Sequence, residues 1–581
     1  MSDLKEIVDN IINKNFDQAL KLCDIYQNKN NKYIILNFKG AIYLSQNNFE
    51  NAEINFLDSL KENNKFIDPL NNLFQLYLRK KDFKKLLFYA EKLIEIDSSN
   101  PSYNYKLGYA LEQNNKIEES IKYYKNCINF NGRDKLKALN NIGVLYSKLN
   151  KENIANQYYL DALKIDQNNT VTINNLLSNY LELRDEKNSD IFYEKAKNID
   201  QNIIYFLFNK AEYLIQKNQV NDAIKILENN KNKDFKFFKK LIRIYFLIGE
   251  KDKAQNLLNE FKKIESNDPE YLQFLGMRSL FQGNFEIGWK YYEYRYSKLR
   301  NIFNSITEWK GENISQKTIV VYNEQGLGDS IQFSKFLIPL LKLTKNVTFL
   351  VQKNIFNIFK KDIKNLKIIS EENFQEKFDF KISLGSLLKF FYKEKINENF
   401  LINNKSSFEL PFNINKDKLN VGIAWSGSFN GPNEPYRSIP LETLSKIFSL
   451  DVNFYCLQNE IWERDLVQFK KTKIKNLGNY SLSDMVAIIQ NLDLIISSDT
   501  SILHLSASLN KETWGLLNSY PDWRWGAFSK LHPYKTLKIF HQRTFNKWDD
   551  VELEIYENLK KKENDNLQEI FYKGASKKGQ L

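Results

Sequence analysis

The sequence predicts an α-helical solenoid followed by an α/β region with parallel sheets. Two observations carry this prediction. A helix-turn-helix pattern recurs about every 34 residues, and after Tyr296 the pattern changes to short β-branched runs that alternate with amphipathic stretches. A chain of 581 residues is long enough for several domains. Its 42% hydrophobic content supplies the apolar surface that their cores require.

Three stretches show the repeat most clearly, with small residues where two helices cross and aromatic residues that fill the gaps. The sets are Gly40, Tyr43, Ala52 and Phe56; Gly143, Tyr146, Ala155, Tyr159 and Ala162; and Gly276, Phe285, Gly288 and Tyr292. This pattern is typical of tetratricopeptide repeats, and roughly eight or nine hairpins fit before Tyr296. A helical bundle is the alternative, but its helices need no common period. Stacked hairpins form a superhelix whose concave surface can hold a protein partner.

Asparagines recur at one helical position of these hairpins. Asn141, Asn175 and Asn209 lie one repeat period apart, and Asn72 falls in phase with them. Because an Asn side chain carries both a donor and an acceptor, the series could hold an extended peptide on the inner face of the array. Coincidence is the alternative, since Asn is abundant in this chain. Three residues interrupt the series: Lys106, Lys240 and Phe274.

The α/β region contains two series of predicted strands. The first comprises residues 318–322, 347–352 and 378–384, and the second comprises 421–425, 454–457, 492–498, 513–517 and 537–540. We interpret the two series as Rossmann-like halves that face a cleft, with ligand at the carboxyl ends of the strands. The predicted domains are a repeat solenoid (1–297), the two halves (298–415 and 416–560), and a helix end with a disordered tail (561–581).

The first loop with candidate catalytic or binding residues follows the predicted strand TIVVY, where NEQGLGDS leads into a helix. Gly326 and Gly328 permit a tight turn and close backbone approach, and Asp329 stands at the helix start. The structural alternative is that Asp329 is the N-cap of this helix, with Gln332 as its capping-box partner.

The second loop follows the predicted strand LDLIISS, where Asp499, Thr500 and Ser501 begin a helix and His504 lies one turn along. A helix start offers free amides and the positive end of its dipole to an anion, and the hydroxyls and imidazole add donors, which suits a diphosphate. The chain has only three His residues. We therefore favour a ligand role for His504 over the alternative of a satisfied core histidine.

The composition narrows the class of protein. The net charge of +13 comes from 84 basic and 71 acidic residues that are interspersed, which we interpret as solvated helix faces rather than a nucleic-acid or membrane surface. The isolated Cys23, Cys127 and Cys456 predict neither a disulfide framework nor a zinc site. An acidic N-terminus and the absence of an apolar run of about 20 residues predict a cytoplasmic protein without a membrane span.

Several motifs occur together in a characteristic order: GNFEIGWKYYEYRY, EWKG, GLGDSIQFSKFL, VGIAWSGSFNGPNEPYRSIPLETL, LQNEIWERD, SSDTSILHLSASLNKETWGLL and PDWRW. Over roughly the whole chain, they resemble bacterial tetratricopeptide-repeat glycosyltransferases. The transferase domain of that family is similar to heptosyltransferases and, more distantly, to O-linked N-acetylglucosamine transferase. The resemblance implies a GT-B fold and transfer of a sugar, with inversion, from a nucleotide-sugar co-substrate. A helix N-terminus with His504, Thr500 and Arg437 can stabilise the leaving diphosphate without a bound metal, so we expect a metal-independent enzyme. We expect its acceptor to be a protein or a surface glycan.

The resemblance also implies roles for single residues. Asp329 matches the proposed base that deprotonates the acceptor hydroxyl in heptosyltransferases. Asp499, Thr500, Ser501 and His504 match the loop that binds donor phosphates. Further donor-binding candidates are Gly328, Ser426, Gly427, Arg437 and Gln458.

Alternatives remain at several of these positions. Arg437 could equally form a surface ion pair. Core packing is favoured over a place in the cleft wall for three tryptophans, Trp425, Trp523 and Trp525. The first half offers no clear acidic or His candidate besides Asp329 and Glu324, so a scaffold that binds a nucleotide sugar without turnover is the alternative function. The motifs do not identify the donor base or sugar.

Overall fold

The structure is a computed structural model. It describes residues 2–130, 133–149, 151–197, 204–217, 219–229, 235–264, 267–295, 305–373, 377–396, 401–404, 408–410, 412–427 and 437–578. The chain divides into two compact units, Met1–Tyr213 and Leu214–Leu581. The predicted domain bounds at residues 297, 415 and 560 stay predictions.

The first unit consists of consecutive helices that pack against each other. Their bounds are α1 Ser2–Ile12, α2 Phe16–Tyr26, α3 Lys32–Ser45, α4 Phe49–Glu62, α5 Asp68–Lys80, α6 Phe83–Ile96, α7 Pro101–Gln113, α8 Ile117–Asn129, α9 Lys135–Lys148, α10 Glu152–Ile165, α11 Thr170–Leu183 and α12 Glu186–Ala196, followed by α13 Ile204–Gln216, which continues into the second unit.

Close crossings between paired helices explain the periodic glycines. At three of these glycines, an added Cβ would lie 2.4 to 2.7 Å from an aromatic ring of the partner helix, which is too close for any side chain. The pairs are Gly40 with Phe56, Gly108 with Tyr124, and Gly143 with Tyr159. These rings are buried. The repeat period is therefore a packing period, in which a missing side chain on one helix accommodates a ring on the next.

The second unit begins with further helices of the same kind and continues into two parallel sheets. The helices are α14 Val220–Glu228, α15 Phe235–Leu247, α16 Lys251–Ile264, α17 Pro269–Gln282 and α18 Phe285–Tyr292. The first sheet contains β1 Thr307–Glu308, β2 Ile319–Tyr322, β3 Val347–Val351, β4 Leu366–Ser370 and β5 Phe380–Ser383, in the order β1-β5-β2-β3-β4. Its helices are α19 Leu327–Phe333, α20 Leu337–Leu340 and α21 Leu384–Phe391.

The second sheet contains six parallel strands in the order β11-β10-β9-β6-β7-β8. Their bounds are β6 Asn420–Ala424, β7 Asn453–Cys456, β8 Lys475–Asn476, β9 Leu494–Ser498, β10 Thr513–Leu517 and β11 Leu537–His541. The helices are α22 Glu463–Lys471, α23 Leu482–Asn491, α24 Ser501–Ser508, α25 Ala527–Leu531 and α26 Asp549–Lys578. The last of these extends to Lys578, through most of the segment 561–581 that the sequence predicts as a helix end with a disordered tail.

Strand order determines where a ligand can bind. In the first sheet β2 lies between β5 and β3, and in the second β6 lies between β9 and β7. The chain order reverses at β2 and at β6, so the loops that leave neighbouring strands there turn in opposite directions. Each sheet therefore has a crevice at the carboxyl end of its central strands.

The helices of the second unit pack directly on its α/β part. Trp523, which follows β10, packs edge to face against Trp289 and Tyr292 of α18, with ring centroids 5.5 and 5.2 Å away. A Cβ at Gly526 would lie 2.3 Å from the backbone oxygen of Phe281. One hydrophobic core accordingly runs from α18 into both sheets.

A buried ion pair joins the end of this hairpin to the first sheet. The Arg295 guanidinium pairs with Glu324, which follows β2, and donates to the hydroxyls of Ser383 and Ser386 at 2.7 Å. Both charged side chains are at most 4% exposed. Glu324, the second acidic residue noted in the sequence, is therefore a packing partner of Arg295 at the switch between β2 and β5.

Candidate active site

A cleft of about 720 Å³ opens at the carboxyl ends of β2, β6, β7 and β9. Loops from both sheets line it. All ten predicted catalytic and donor-binding residues are among the lining residues: Gly328, Asp329, Ser426, Gly427, Arg437, Gln458, Asp499, Thr500, Ser501 and His504. The structure brings these residues together, while the role of each stays a prediction. Residues 428–436 of the predicted SGSFNGPNEPYR segment lie outside the described residues.

The loop after β2 is closed by a capping interaction that differs from the expected one. Gly326, with φ −66°, is the N-cap of α19, and its N–H donates to Asp329 Oδ2 over 3.1 Å. Asp329 is thus the third residue of the helix. The capping alternative, with Asp329 at the N-cap and Gln332 as its partner, is wrong because the helix begins earlier, at Leu327.

The glycine beside this aspartate allows two helices to meet. A Cβ at Gly328 would lie 2.8 Å from His504 Cδ2. Since His504 lies on α24, the absent side chain lets α19 and α24 approach across the cleft. Gly328 is therefore needed for close approach, and a donor-binding role for it stays a prediction.

The start of α24 presents backbone amides to the cleft. Thr500 is the N-cap, yet its side chain makes no capping hydrogen bond and instead lies 3.0 Å from Ser497 Oγ. The N–H groups of the first turn are thus left for another acceptor. Ser501, the first residue of the helix, lines the cleft beside them.

The ring of His504 is fixed by three neighbours. Its Nδ1 is 3.0 Å from the Tyr534 hydroxyl, its face stacks on Trp525 with centroids 5.4 Å apart, and its Nε2 is 3.6 Å from Asp499 Oδ1. The side chain is only 4% exposed, but it still lines the cleft. His504 is therefore both a packed residue and a cleft residue.

Asp499 remains ionised in this setting. Burial alone would raise its pKa, but the neighbouring His504 and the positive charge of Arg524 outweigh that effect and lower the pKa to about 2. Arg437 Nη1 donates to the backbone oxygen of Asp499 over 3.3 Å. Arg437 is thus in contact with the β9 loop, while its donor-binding role and the alternative of a surface ion pair stay predictions.

Gln458 ties the loop after β7 to the loop after β6. Its Oε1 accepts the N–H groups of Trp425 and Ser426 at 2.9 and 3.2 Å, and its Nε2 donates to Ser426 Oγ at 2.8 Å. The N–H of Gly427 donates to Ser438 Oγ over 3.3 Å. This network fixes the backbone that forms the floor of the cleft.

Arg524, which was not selected from the sequence, also lines the cleft. It forms an ion pair with Asp329, and its Nε lies 3.2 Å from Asp522 Oδ1. Burial disfavours the charged guanidinium, but the surrounding carboxylates raise its pKa. The motif PDWRW contains Arg524, yet its partner Asp329 lies 195 positions away in the chain. No local pattern could have shown that pairing.

The three tryptophans pack in the core, as favoured from the sequence. Trp425, Trp523 and Trp525 are 0, 4 and 7% exposed. None of the three is a lining residue of the cleft. Trp525 nevertheless supports the site, because it stacks on His504.

In the first unit, asparagines of the predicted series bond to neighbouring side chains. Asn72 Nδ2 donates to Asn37 Oδ1, Asn141 Nδ2 to the Tyr124 hydroxyl and Asn209 Nδ2 to Asn174 Oδ1, each over 2.9 Å. Asn175 is half-buried. Three of the four amides therefore already link parts of the array, and partner binding by the series stays a prediction.

Two searches of the described residues concern ions and membranes. No group of three or more His, Cys, Asp or Glu side chains in the described ranges is arranged to hold a metal ion. In the same part of the chain, no helix combines the length and the apolar composition that a membrane span requires. Cys23, Cys127 and Cys456 are free and buried.

Comparison with known proteins identifies two regions. Residues 452–553 match the model of glycosyltransferase family 9 (heptosyltransferase), and residues 101–134 and 136–169 match the tetratricopeptide repeat. The family 9 match includes the β9 loop and Arg524. No curated protein matches the sequence.

Several solved structures are similar to a part of the chain. PilW, a type IV pilus biogenesis factor, is 15% identical, with 36% of this chain and 98% of that chain covered and a TM-score of 0.33. PilF of Pseudomonas aeruginosa is 14% identical, covering 43% and 99% at a TM-score of 0.29. YrrB, a tetratricopeptide-repeat protein, is 16% identical, covering 30% and 89% at a TM-score of 0.26. From the two family matches, the chain carries tetratricopeptide repeats and a glycosyltransferase family 9 domain.

Proposed function

We propose that the protein is an inverting glycosyltransferase that moves a sugar from a nucleotide diphosphate donor to an acceptor presented by the repeat array. The observation that carries this proposal is a single cleft lined both by Asp329, after β2, and by the loop 499–504, after β9. The family 9 match supports a sugar-transfer reaction. Inverting transfer needs a base beside the acceptor and a group that stabilises the leaving diphosphate. Both must face the same cleft.

In the proposed reaction, Asp329 takes the proton of the acceptor hydroxyl. The acceptor oxygen forms a bond with the anomeric carbon from the face opposite the diphosphate. The bond between that carbon and the phosphate oxygen breaks, and its electron pair leaves with the nucleoside diphosphate. Attack from the opposite face inverts the anomeric configuration.

The start of α24 is the proposed diphosphate site. Its uncapped amides, the hydroxyls of Thr500 and Ser501, His504 and the cationic Arg437 would together neutralise the charge that grows on the leaving group. These groups supply donors without a bound cation, so we propose that the reaction needs no metal. Ser426, Gly427 and Gln458 would contact the rest of the donor.

The strand orders support two Rossmann-like halves of GT-B type, because both sheets are parallel and reverse their chain order at a central strand. We further propose that the enzyme is of the hexosyl- or heptosyltransferase type. Its acceptor is a protein or a surface glycan. A protein partner would lie on the concave face of the repeats, near Asn72, Asn141, Asn175 and Asn209. The cytoplasmic location and the absence of a nucleic-acid partner stay predictions.

Release of nucleoside diphosphate from a panel of UDP-, GDP- and ADP-sugars tests the proposal. We expect one member of the panel to be turned over, and we expect Asp329→Ala to reduce the rate by about 100-fold or more, because a positioned general base typically contributes that much. His504→Ala should weaken binding of the nucleoside diphosphate about tenfold in calorimetry, since it removes a buried donor.

The matched control is His541→Ala, because His541 is exposed and lies outside the cleft. This variant should bind and turn over the donor as the wild type does. If the wild type binds a nucleoside diphosphate but releases none from any sugar donor, the alternative of a binding scaffold is correct. An active Asp329→Ala variant would refute the assignment of the base.

A further inference from the structure

Arg524 lies on a short, well-packed segment that borders the cleft. Asp522 accepts the N–H of Arg524 over 3.1 Å, which fixes the single turn Trp523–Trp525. Trp523 is buried between α18 and Phe333 of α19. The backbone of this segment is thus packed on both sides. The Arg524 side chain, 16% exposed, is the part that can change partners.

The ion pair between Arg524 and Asp329 has a consequence for the proposed base. Asp329 Oδ1 faces the Arg524 guanidinium, and Asp329 Oδ2 accepts the N–H of Gly326. Both carboxylate oxygens therefore already accept a hydrogen bond. In this arrangement the Arg524 guanidinium lies against the carboxylate oxygen that the proposed reaction needs as a base.

The distribution of charge in the cleft points to the same residue. Among the described lining residues the only Lys or Arg side chains are Arg437 and Arg524, whereas Asp329, Glu460 and Asp499 bring three carboxylates. A donor diphosphate adds about two further negative charges, as phosphates of this kind do at neutral pH. An anion is bound most strongly by a planar guanidinium with two parallel donors. Here Arg524 Nη1 pairs with Asp329 Oδ1 and Arg524 Nε lies 3.2 Å from Asp522 Oδ1, so the guanidinium already serves two carboxylates.

We propose that Arg524 is a positioning residue that exchanges partners, pairing with Asp329 until a donor binds and then turning to the donor's diphosphate. The exchange releases Asp329 Oδ1 to accept the proton of the acceptor hydroxyl. Donor therefore binds before acceptor, and the base is free only when there is a sugar to transfer. This inference rests on the proposed function, and it adds an order of binding to it.

The charges balance through the exchange. Before the donor binds, Arg524 is compensated by Asp329 and Asp522. Afterwards it faces the diphosphate, and Asp329 keeps its negative charge until it receives the acceptor proton. When the glycosidic bond to phosphate breaks, the electron pair enters the diphosphate opposite Arg524. Release of the nucleoside diphosphate returns Arg524 to Asp329, once that carboxylate has given its proton to solvent.

Competition between two anions for one cation has a signature in binding. Calorimetry with UDP, GDP and ADP on the full chain identifies the diphosphate that binds. For that probe we expect Asp329→Asn to tighten binding about tenfold, because Arg524 no longer has to leave a carboxylate. Arg524→Gln should weaken it about tenfold or more. In the double variant, the tightening by Asp329→Asn should vanish, since the two effects share one cation.

A structural ion pair would behave differently, because both single variants would then loosen the cleft and weaken binding. The inference is overturned if Asp329→Asn leaves the affinity unchanged or lowers it, or if its tightening persists beside Arg524→Gln. Loss of turnover in Asp329→Asn, with affinity unchanged, would leave the proposed function standing and remove only the exchange. If none of the three diphosphates binds the wild type, the proposed function fails and the inference with it.

A folding check, a replacement variant and a control variant complete the experiment. Removal of one partner from a buried pair can unfold a protein, so each variant is checked by thermal unfolding. If Arg524→Gln does not fold, Arg524→Lys takes its place in the cycle. An ammonium keeps the charge but lacks the planar fork, so the tightening by Asp329→Asn must shrink. Arg543→Gln, at an exposed arginine outside the cleft, is the matched control and should bind as the wild type does.

Discussion

Lys335 brings a positive charge into the core of the second unit. The residue is 5% exposed, and its Nζ lies 5.7 Å from the ring centre of Phe336 and 6.0 Å from that of Tyr534. Burial lowers the pKa of Lys335 to about 8. Burial together with the charge of Lys335 also lowers the pKa of His532 to about 4. Lysine at this position is therefore costly to the fold at neutral pH.

The pKa of Lys335 in the folded and in the unfolded chain determines how stability changes with pH. An unfolded lysine titrates near 10.4, so between about pH 8 and 10.4 the unfolded chain holds a proton that the folded chain has released. The contribution of Lys335 to stability consequently rises with pH in that window, and the full cost of the buried charge applies below it. That cost is at most about 3 kcal/mol.

We expect Lys335→Met to raise the free energy of unfolding at pH 7 by up to about 3 kcal/mol and to remove the rise between pH 8 and 10. Denaturant unfolding at a series of pH values, as the difference between variant and wild type, measures both effects. Lys342→Met, at an exposed lysine nearby, is the control and should change stability by less than about 0.5 kcal/mol. A less stable Lys335→Met protein at pH 7 would show that the ammonium is fully compensated.

Single residues of the site were predictable where local sequence determines their position. Asp329 follows β2 and the loop 499–504 follows β9, so each lies at the carboxyl edge of its own parallel sheet, where a ligand is expected. Arg524 and Tyr534 escaped prediction. Each acts through a tertiary contact, with Asp329 and with His504, that depends on packing between remote segments.

At the scale of elements, the asparagine series contributes to cohesion between helices. Asn72, Asn141 and Asn209 each donate a part-buried hydrogen bond to a neighbour, whereas the described residues give no such bond to Asn175. We expect Asn→Ala at each of the first three to lower the free energy of unfolding by about 1 kcal/mol. Urea unfolding of the full chain measures it.

Asn175→Ala is the internal control for this experiment, since it shares the helical position and repeat phase. It should leave stability nearly unchanged. An equal loss in all four variants would contradict the assignment of the first three as links within the array. The same four proteins serve in a pull-down, in which lost capture by a variant of unchanged stability would support partner binding.

Strand prediction failed only at the edges of the sheets. All eight predicted strands are present with ends within about two residues of the predicted ones, whereas β1, β4 and β8 were missed. Each of these three is an edge strand, and β1 and β8 contain two residues each. An edge strand needs no continuous apolar run, because one side faces solvent or loops. Interior strands such as β2 and β9 are buried throughout, so they form continuous apolar runs that can be predicted from the sequence.

Within the second unit, the helical part and the α/β part pack against each other around one shared hydrophobic core. Ser519 Oγ donates to the backbone oxygen of Leu247 over 2.7 Å, and Tyr520 stacks on Phe246 with centroids 4.9 Å apart. Gly526 and Trp523 contact the hairpin α17–α18 as described above. A fragment that starts at 298 would expose this surface.

We therefore expect residues 214–581 to unfold in one cooperative transition, and residues 298–581 to be strongly destabilised or aggregated, because Trp523 loses its partners. Circular dichroism melts and size-exclusion chromatography of the two fragments measure this. A fragment 298–581 that melts as sharply and as high as 214–581 would show that the hairpins are dispensable for the α/β fold.

The stacking of Trp525 on His504 gives the protein an optical property. The emission of an indole is sensitive to the ring that packs against its face. His504 lies beside Asp499 and lines the cleft, while Trp525 lies behind it in the core. A ligand that moves the His504 ring on the indole would thus change the intrinsic fluorescence of the chain, so that occupancy of the cleft can be followed without a label.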